Sequence, residues 1–141
     1  MNDITYLKTP EEEILRRIRR LQVGLQAYNI KAAIIVQKAD LFYFSGTCQN
    51  AHLFVPKEGE PYLFVKKSFS RAEKESTIKN INPLRNLHEF FGFLNSHVRD
   101  SDIIGMELDI LPTNLYLKYK EMVSPNKIVD ISKIIREIRI Q

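Results

Sequence analysis

Lys31-Ala32-Ala33-Ile34-Ile35-Val36-Gln37-Lys38-Ala39-Asp40-Leu41-Phe42-Tyr43-Phe44-Ser45-Gly46-Thr47 is the stretch around which the rest of the chain is organised. Its first part, Ala32 to Val36, is apolar at every position, rich in β-branched residues and without alternation. A strand of that kind is covered on both faces, so it predicts a central strand with layers above and below. Its second part, Leu41 to Ser45, is aromatic and predicts a second strand, closed by Gly46 where the backbone must bend. Thr47-Cys48-Gln49-Asn50 then forms a short polar loop.

Upstream, Thr9-Pro10-Glu11-Glu12 predicts a helix start, with Thr9 as cap, Pro10 in the first turn and Glu12 at the capping-box position. Ile14, Ile18, Leu21 and Leu25 follow at spacings of four, three and four, with Leu15 and Tyr28 alongside, so one face of the helix covers a sheet. Asn29 is expected to end it. Arg16, Arg17, Arg19 and Arg20 are the densest basic cluster in the sequence. Glu12 and Glu13 lie four residues before Arg16 and Arg17, which favours surface ion pairs over a phosphate-binding stripe.

Downstream, Ala51 to Val55 and Pro61 to Val65 flank the turn-rich Pro56-Lys57-Glu58-Gly59-Glu60 and predict a hairpin. Together with Leu41 to Ser45 they would make an antiparallel meander. A short polar helix opening at Ser68 or Ser70 and running to Glu75, and a weak strand from Thr77 to Ile81, come next. Leu87, Phe90, Phe91, Leu94 and Val98 form a helical stripe, followed by a strand from Asp102 to Glu107. A helix from Pro112 to Met122, a strand from Lys127 to Asp130 and a helix from Ser132 to Arg139 complete the pattern. Helices alternating with strands after an antiparallel start indicate a three-layer α/β/α domain with a mixed sheet.

The 141 residues suit a single domain spanning 1–141, and the 44% hydrophobic content can fill a core. Twenty-one basic against 17 acidic residues leave a net charge of +4, with the two signs interspersed, so no polyanion is demanded and nucleic acid is not an expected partner. The lone Cys48 excludes an internal disulfide framework and suits a reducing compartment, so the cytoplasm is expected. No apolar run approaches the ~20 residues needed to span a bilayer, and Met1-Asn2-Asp3-Ile4-Thr5 lacks the basic flank and apolar core of a signal peptide. A soluble domain with no membrane partner is expected.

Chemistry is hard to find in this chain. His52, His88, His97 and Cys48 show no ligand spacing, so no metal site is read. Cys48 and the serines have no adjacent base in the sequence to activate them. The five glycines are scattered rather than gathered in a phosphate loop. The mixed-sheet layout is also similar to the ribonuclease-H-like fold, whose central strand carries acidic metal ligands, but Ala32 to Val36 has no acid. Glu107 and Asp109 therefore lack a partner on that strand and are not read as a two-metal site; Glu107 is expected to cap or pair with a neighbouring helix.

The entry helix before Ala32-Ala33-Ile34-Ile35-Val36, then Ala39-Asp40-Leu41-Phe42-Tyr43-Phe44-Ser45-Gly46-Thr47, Gly59-Glu60-Pro61-Tyr62-Leu63-Phe64-Val65 and Ile104-Gly105-Met106-Glu107-Leu108-Asp109-Ile110-Leu111-Pro112 together resemble the amino-terminal domain of the creatinase and prolidase family. The resemblance covers nearly the whole chain. It implies a non-catalytic amino-terminal domain of a proline-specific metallopeptidase, an Xaa-Pro dipeptidase or aminopeptidase, whose catalytic pita-bread domain is absent from this sequence. That missing domain would hold the divalent metal, manganese, cobalt or zinc, while this chain would hold no cofactor and no catalytic residue.

The same resemblance implies, as partners, the chain's own carboxy-terminal catalytic domain, a second subunit in a homodimer and the parent enzyme's peptide substrate. Thr47, Cys48, Gln49, Asn50 and His52 are the candidates for substrate-cleft or dimer contact. The alternative is a stand-alone interaction or small-ligand module that kept the fold. The ending after Arg136 and Arg139 is expected to be a cut within a longer chain, which favours the first reading.

Overall fold

The computed structural model describes residues 8–140; the reading of Met1 to Thr5 lies outside them. Six strands form one mixed sheet: β1 Ala32–Ile35, β2 Ala51–Pro56, β3 Tyr62–Val65, β4 Asn80–Pro83, β5 Ile103–Met106 and β6 Lys127–Asp130, in the order β4-β3-β2-β1-β5-β6. β1 pairs antiparallel with β2 and parallel with β5. It is the spine that its composition predicts. Ala33 and Ile35 enter one apolar cluster and Ala32 and Ile34 the other, all at most 1% exposed.

Helices α1 Glu11–Ala27, α2 Lys38–Ser45, α3 Phe69–Glu75 and α6 Ser132–Arg139 feed the first cluster, through Ile14, Ile18, Leu21, Leu25, Leu41, Phe44, Ala72, Ile135 and Ile138. Helices α4 Leu87–His97 and α5 Thr113–Val123 feed the second through Phe90, Phe91, Leu94, Tyr119 and Val123. Each fully buried Leu, Ile or Phe contributes about 1.5–3 kcal/mol. Three layers result.

The aromatic run corrects the sequence reading. Leu41 to Ser45 is not a strand but the body of α2, and the meander is β1-β2-β3 with α2 inserted between its first two strands. Leu41, Phe44 and Ser45 are buried while Phe42 is 46% exposed, which is helical spacing and not alternation. The Gln37 side chain accepts from the Asp40 N–H at 2.8 Å, capping the start. Gly46 stops the helix in the left-handed region at φ 85°, its N–H bonded to the Phe42 carbonyl. Local capping and the helical placement of its apolar residues thus override β-propensity.

Three smaller corrections follow. Pro10, not Thr9, holds the cap position of α1, and no side chain caps it; the Pro10 carbonyl instead accepts from the Glu13 and Ile14 N–H groups. β4, Asn80–Pro83, starts three residues later than the Thr77–Ile81 expectation and ends two later, set by its parallel register with β3. Glu13 alone takes both Arg16 and Arg17, at 2.5 and 2.8 Å, so the expected Glu12–Arg16 pair is not the one formed. Asn29, in the left-handed region at φ 54°, does end α1.

Candidate functional site

The loop after Gly46 is anchored by one carboxylate. Thr47 is fully buried and its Oγ1 donates to Glu75 Oε1 at 2.7 Å; the Cys48 N–H and Gln49 Nε2 reach the same oxygen at 3.4 and 3.5 Å. Burial pushes Glu75 up, yet these hydrogen bonds and the charge of Arg71 outweigh it and hold the carboxyl below its ordinary value. Cys48 and Asn50 stay exposed, and the Asn50 carbonyl accepts from the Lys66 N–H at 2.9 Å. The loop is therefore a braced turn between α2 and β2, not the tip of a strand pair.

His52 is separated from that loop. On β2 it faces the α4–α5 side with Phe54, its ring in tilted contact with Phe90 at 4.9 Å between centroids and its Nε2 bonded to Tyr119 Oη at 3.1 Å. Burial, with Lys66 nearby, lowers its pKa to about 4, so the ring is neutral at physiological pH. Its Nδ1 is buried and unpartnered. The five sequence candidates thus divide into a polar turn and a histidine on the opposite face of the sheet.

A third group escaped the sequence reading. Past the carboxyl ends of the parallel strands β1 and β5 lie Asp40 on α2 and Glu107, whose buried Oε1 has no hydrogen-bond partner; burial and the nearby Asp40 and Asp109 push the Glu107 carboxyl well above its ordinary value. Arg139 Nη1 on α6 bonds Asp40 Oδ1 at 2.6 Å, and Arg136 Nη1 bonds Asp109 Oδ2 at 2.7 Å. The Ser132 hydroxyl lies 2.6 Å from Asp109 Oδ1 and 2.5 Å from Asp130 Oδ1. Glu107 does not cap α5, whose cap position is Pro112 with no side-chain cap bond. Asp40 and Arg139 stand 99 residues apart in the chain, and no local pattern could have joined them.

These acids do not form a metal centre. Asp40 is taken by the Arg139 guanidinium and Asp109 by that of Arg136. Among the described residues no three His, Cys, Asp or Glu side chains could hold an ion together. Beside Glu107, a cleft of about 180 Å³ is lined chiefly by Ile34, Val36, Met106, Ile110, Leu111 and Leu115. It is below the volume of an ordinary ligand pocket.

The fold and these sites define an α/β domain that braces one polar turn. The chain belongs to the creatinase/prolidase N-terminal domain family, whose model matches residues 17–141. No curated protein matches the sequence. Among solved structures, the prolidase of Pyrococcus horikoshii OT3 superposes with a TM-score of 0.76 at 20% identity, over 89% of this chain and 35% of that one. The N-terminal domain of the cytoplasmic peptidase PepQ of Mycobacterium tuberculosis H37Rv gives 0.77 at 15% identity, over 88% and 98%. An Xaa-Pro aminopeptidase structure from Streptococcus pyogenes gives 0.79 at 14%, over 92% and 100%. The chain thus spans about a third of the prolidase and nearly all of the other two structures.

Proposed function

We propose that this chain is the amino-terminal, non-catalytic part of an Xaa-Pro peptidase, and that its Thr47–Asn50 turn forms part of the substrate cleft or the dimer contact. The observation that carries the reading is the turn itself: three donors converge on Glu75, fixing the backbone while Cys48 and Asn50 remain exposed. Rigid presentation of polar groups on a loop is what a positioning element requires. The catalytic water and the metal that activates it, manganese, cobalt or zinc, belong on this reading to a following carboxy-terminal domain, while Asp40 and Asp109 here are bonded to Arg139 and Arg136. His52, on the α4–α5 side of the sheet and bonded to Tyr119, lies apart from the turn, so this reading rests on the turn residues.

The test is made in the parent enzyme, read from the coding region beyond Gln141. Asn50→Ala should raise KM for an Xaa-Pro dipeptide several-fold, as expected for one lost hydrogen bond worth on the order of 1 kcal/mol, with melting temperature and metal content unchanged. Kinetics equal to the parent's for this variant and for Cys48→Ala would remove the turn from the cleft.

A further inference from the structure

We propose that the groove between α1 and α6 binds a small anionic amphiphile, a carboxylate on an aliphatic tail of medium length, with its head at Arg19 and Arg20 and its tail lying past Ile134 towards β6. Two hollows of about 450 and 330 Å³ make up the groove, and they share Tyr28, Ile134 and Glu137. Each has the size of a small-molecule site. Gly24 keeps the first hollow open where the two helices meet. A Cβ there would stand 2.7 Å from Ile134 Cγ2, so a side chain at this position would push the helices apart or fill the groove.

The two hollows differ in chemistry. Arg16, Arg19 and Arg20 line the first. Arg16 is already bonded to Glu13, but Arg19 is exposed and takes part in no ion pair among the described residues, and Arg20 holds Nη1 in a buried position with no acceptor. A guanidinium nitrogen removed from water without an acceptor is costly, and a carboxylate is the partner that its forked N–H groups fit. The second hollow is walled by Ile30, Ile103, Val129 and Ile134, with Asp130 and Lys133 also lining it. Beside the groove, Val23 and Tyr28 are 64% and 65% exposed, although the core contacts of α1 are made by Ile14, Ile18, Leu21 and Leu25. Apolar surface gathered at a concave site with a charged rim is where an apolar ligand docks.

Along α1 the groove runs from Arg16 to Tyr28, about 18 Å at 1.5 Å per residue, a length that accommodates a medium-chain fatty acid. Glu137 is exposed and lines both hollows, so it disfavours a second anionic group along the tail and any polyanion with repeating phosphates. A single anionic head on an uncharged tail is the chemistry that remains. The groove shares no residue with the Thr47–Asn50 turn and stands whether or not that turn lines a cleft.

The protein is titrated with monomeric decanoate at pH 7.5, following the methyl resonances of Ile30, Val129 and Ile134 by nuclear magnetic resonance. Saturable shifts confined to the groove are expected. Arg20→Gln should weaken binding by about tenfold, as one charged hydrogen bond is lost. Val23→Asp, at a position whose exposure leaves the core untouched, should abolish binding by setting a like charge beside the tail. Decyltrimethylammonium, with the same tail and the opposite charge, should leave these resonances unmoved, and that comparison decides the matter even if a variant fails to fold. A protein that ignores decanoate, answers both amphiphiles alike, or binds decanoate equally well in Arg20→Gln and Val23→Asp would overturn the site. Sedimentation with phosphatidylglycerol vesicles without binding of monomeric decanoate would also overturn it, and would assign the groove to a membrane surface instead.

Discussion

His52 buries an imidazole between Phe90 and Tyr119, with Nε2 bonded and Nδ1 left dry. The fold selects its neutral form: the pKa falls from the ordinary 6.5 to about 4. With the folded value below the unfolded one, the contribution is complete above pH 6.5 and is lost as pH falls from 6.5 through 4. The full linkage is about 3 kcal/mol. Urea unfolding at pH 7.5 and 4.5 should show most of that loss in the wild type and a much flatter acid limb in His52→Phe. Gly46 makes a second test at this scale. Its φ of 85° strains any Cβ, and one added there would sit 3.1 Å from the Glu75 carbonyl oxygen. Gly46→Ala should lower stability by about 1–2 kcal/mol in a denaturant titration, whereas Gly92→Ala, with open space around it, should not.

Among the elements, α1 carries the four arginines that might track phosphates. Hydrogen bonds from Arg16 and Arg17 hold Glu13 down at about 2, and both guanidiniums are thereby occupied. Arg20 turns Nη1 into a buried position. With Arg16 and Arg17 so engaged, α1 releases fewer counterions on binding a nucleic acid. Fluorescence anisotropy with duplex and single-stranded oligonucleotides at physiological salt should show no binding tighter than about 10⁻⁵ M. Micromolar affinity abolished by Arg19→Ala with Arg20→Ala would reverse that assignment. α6 is the other informative element. Ile131 approaches so close that a Cβ at Gly105 would meet its Cγ2 at 2.5 Å, so Gly105 is what lets this corner of α6 seat on β5.

At the scale of the whole molecule, the described residues assemble a sheet, its covering helices and a braced turn, and no three His, Cys, Asp or Glu side chains among them could hold an ion together. Purified chain incubated with Xaa-Pro dipeptides and manganese or cobalt should therefore release no proline, assayed by ninhydrin. Metal-dependent release proportional to protein would contradict the proposed division of labour between this domain and a catalytic one. No described helix is long and apolar enough to cross a membrane.

The sequence by itself determined the elements whose signals are local. Five apolar residues without alternation made β1 a central strand; Ile14, Ile18, Leu21 and Leu25 gave α1 its buried face; the turn-rich residues 56–60 gave the β2–β3 hairpin. These survive because period and turn chemistry are written within a few residues of each other. Tertiary structure decided what depends on distant partners. Leu41 to Ser45 has the composition of a strand, and only the caps at Gln37 and Gly46 with burial of Leu41 and Phe44 made it a helix. The polar turn was legible as polar, but Glu75, 28 residues beyond Thr47, is what braces it. His52 could not be assigned to a face of the sheet until β2 had its register. Asp40 and Arg139 meet across 99 residues of chain, a juxtaposition that no spacing along the chain encodes.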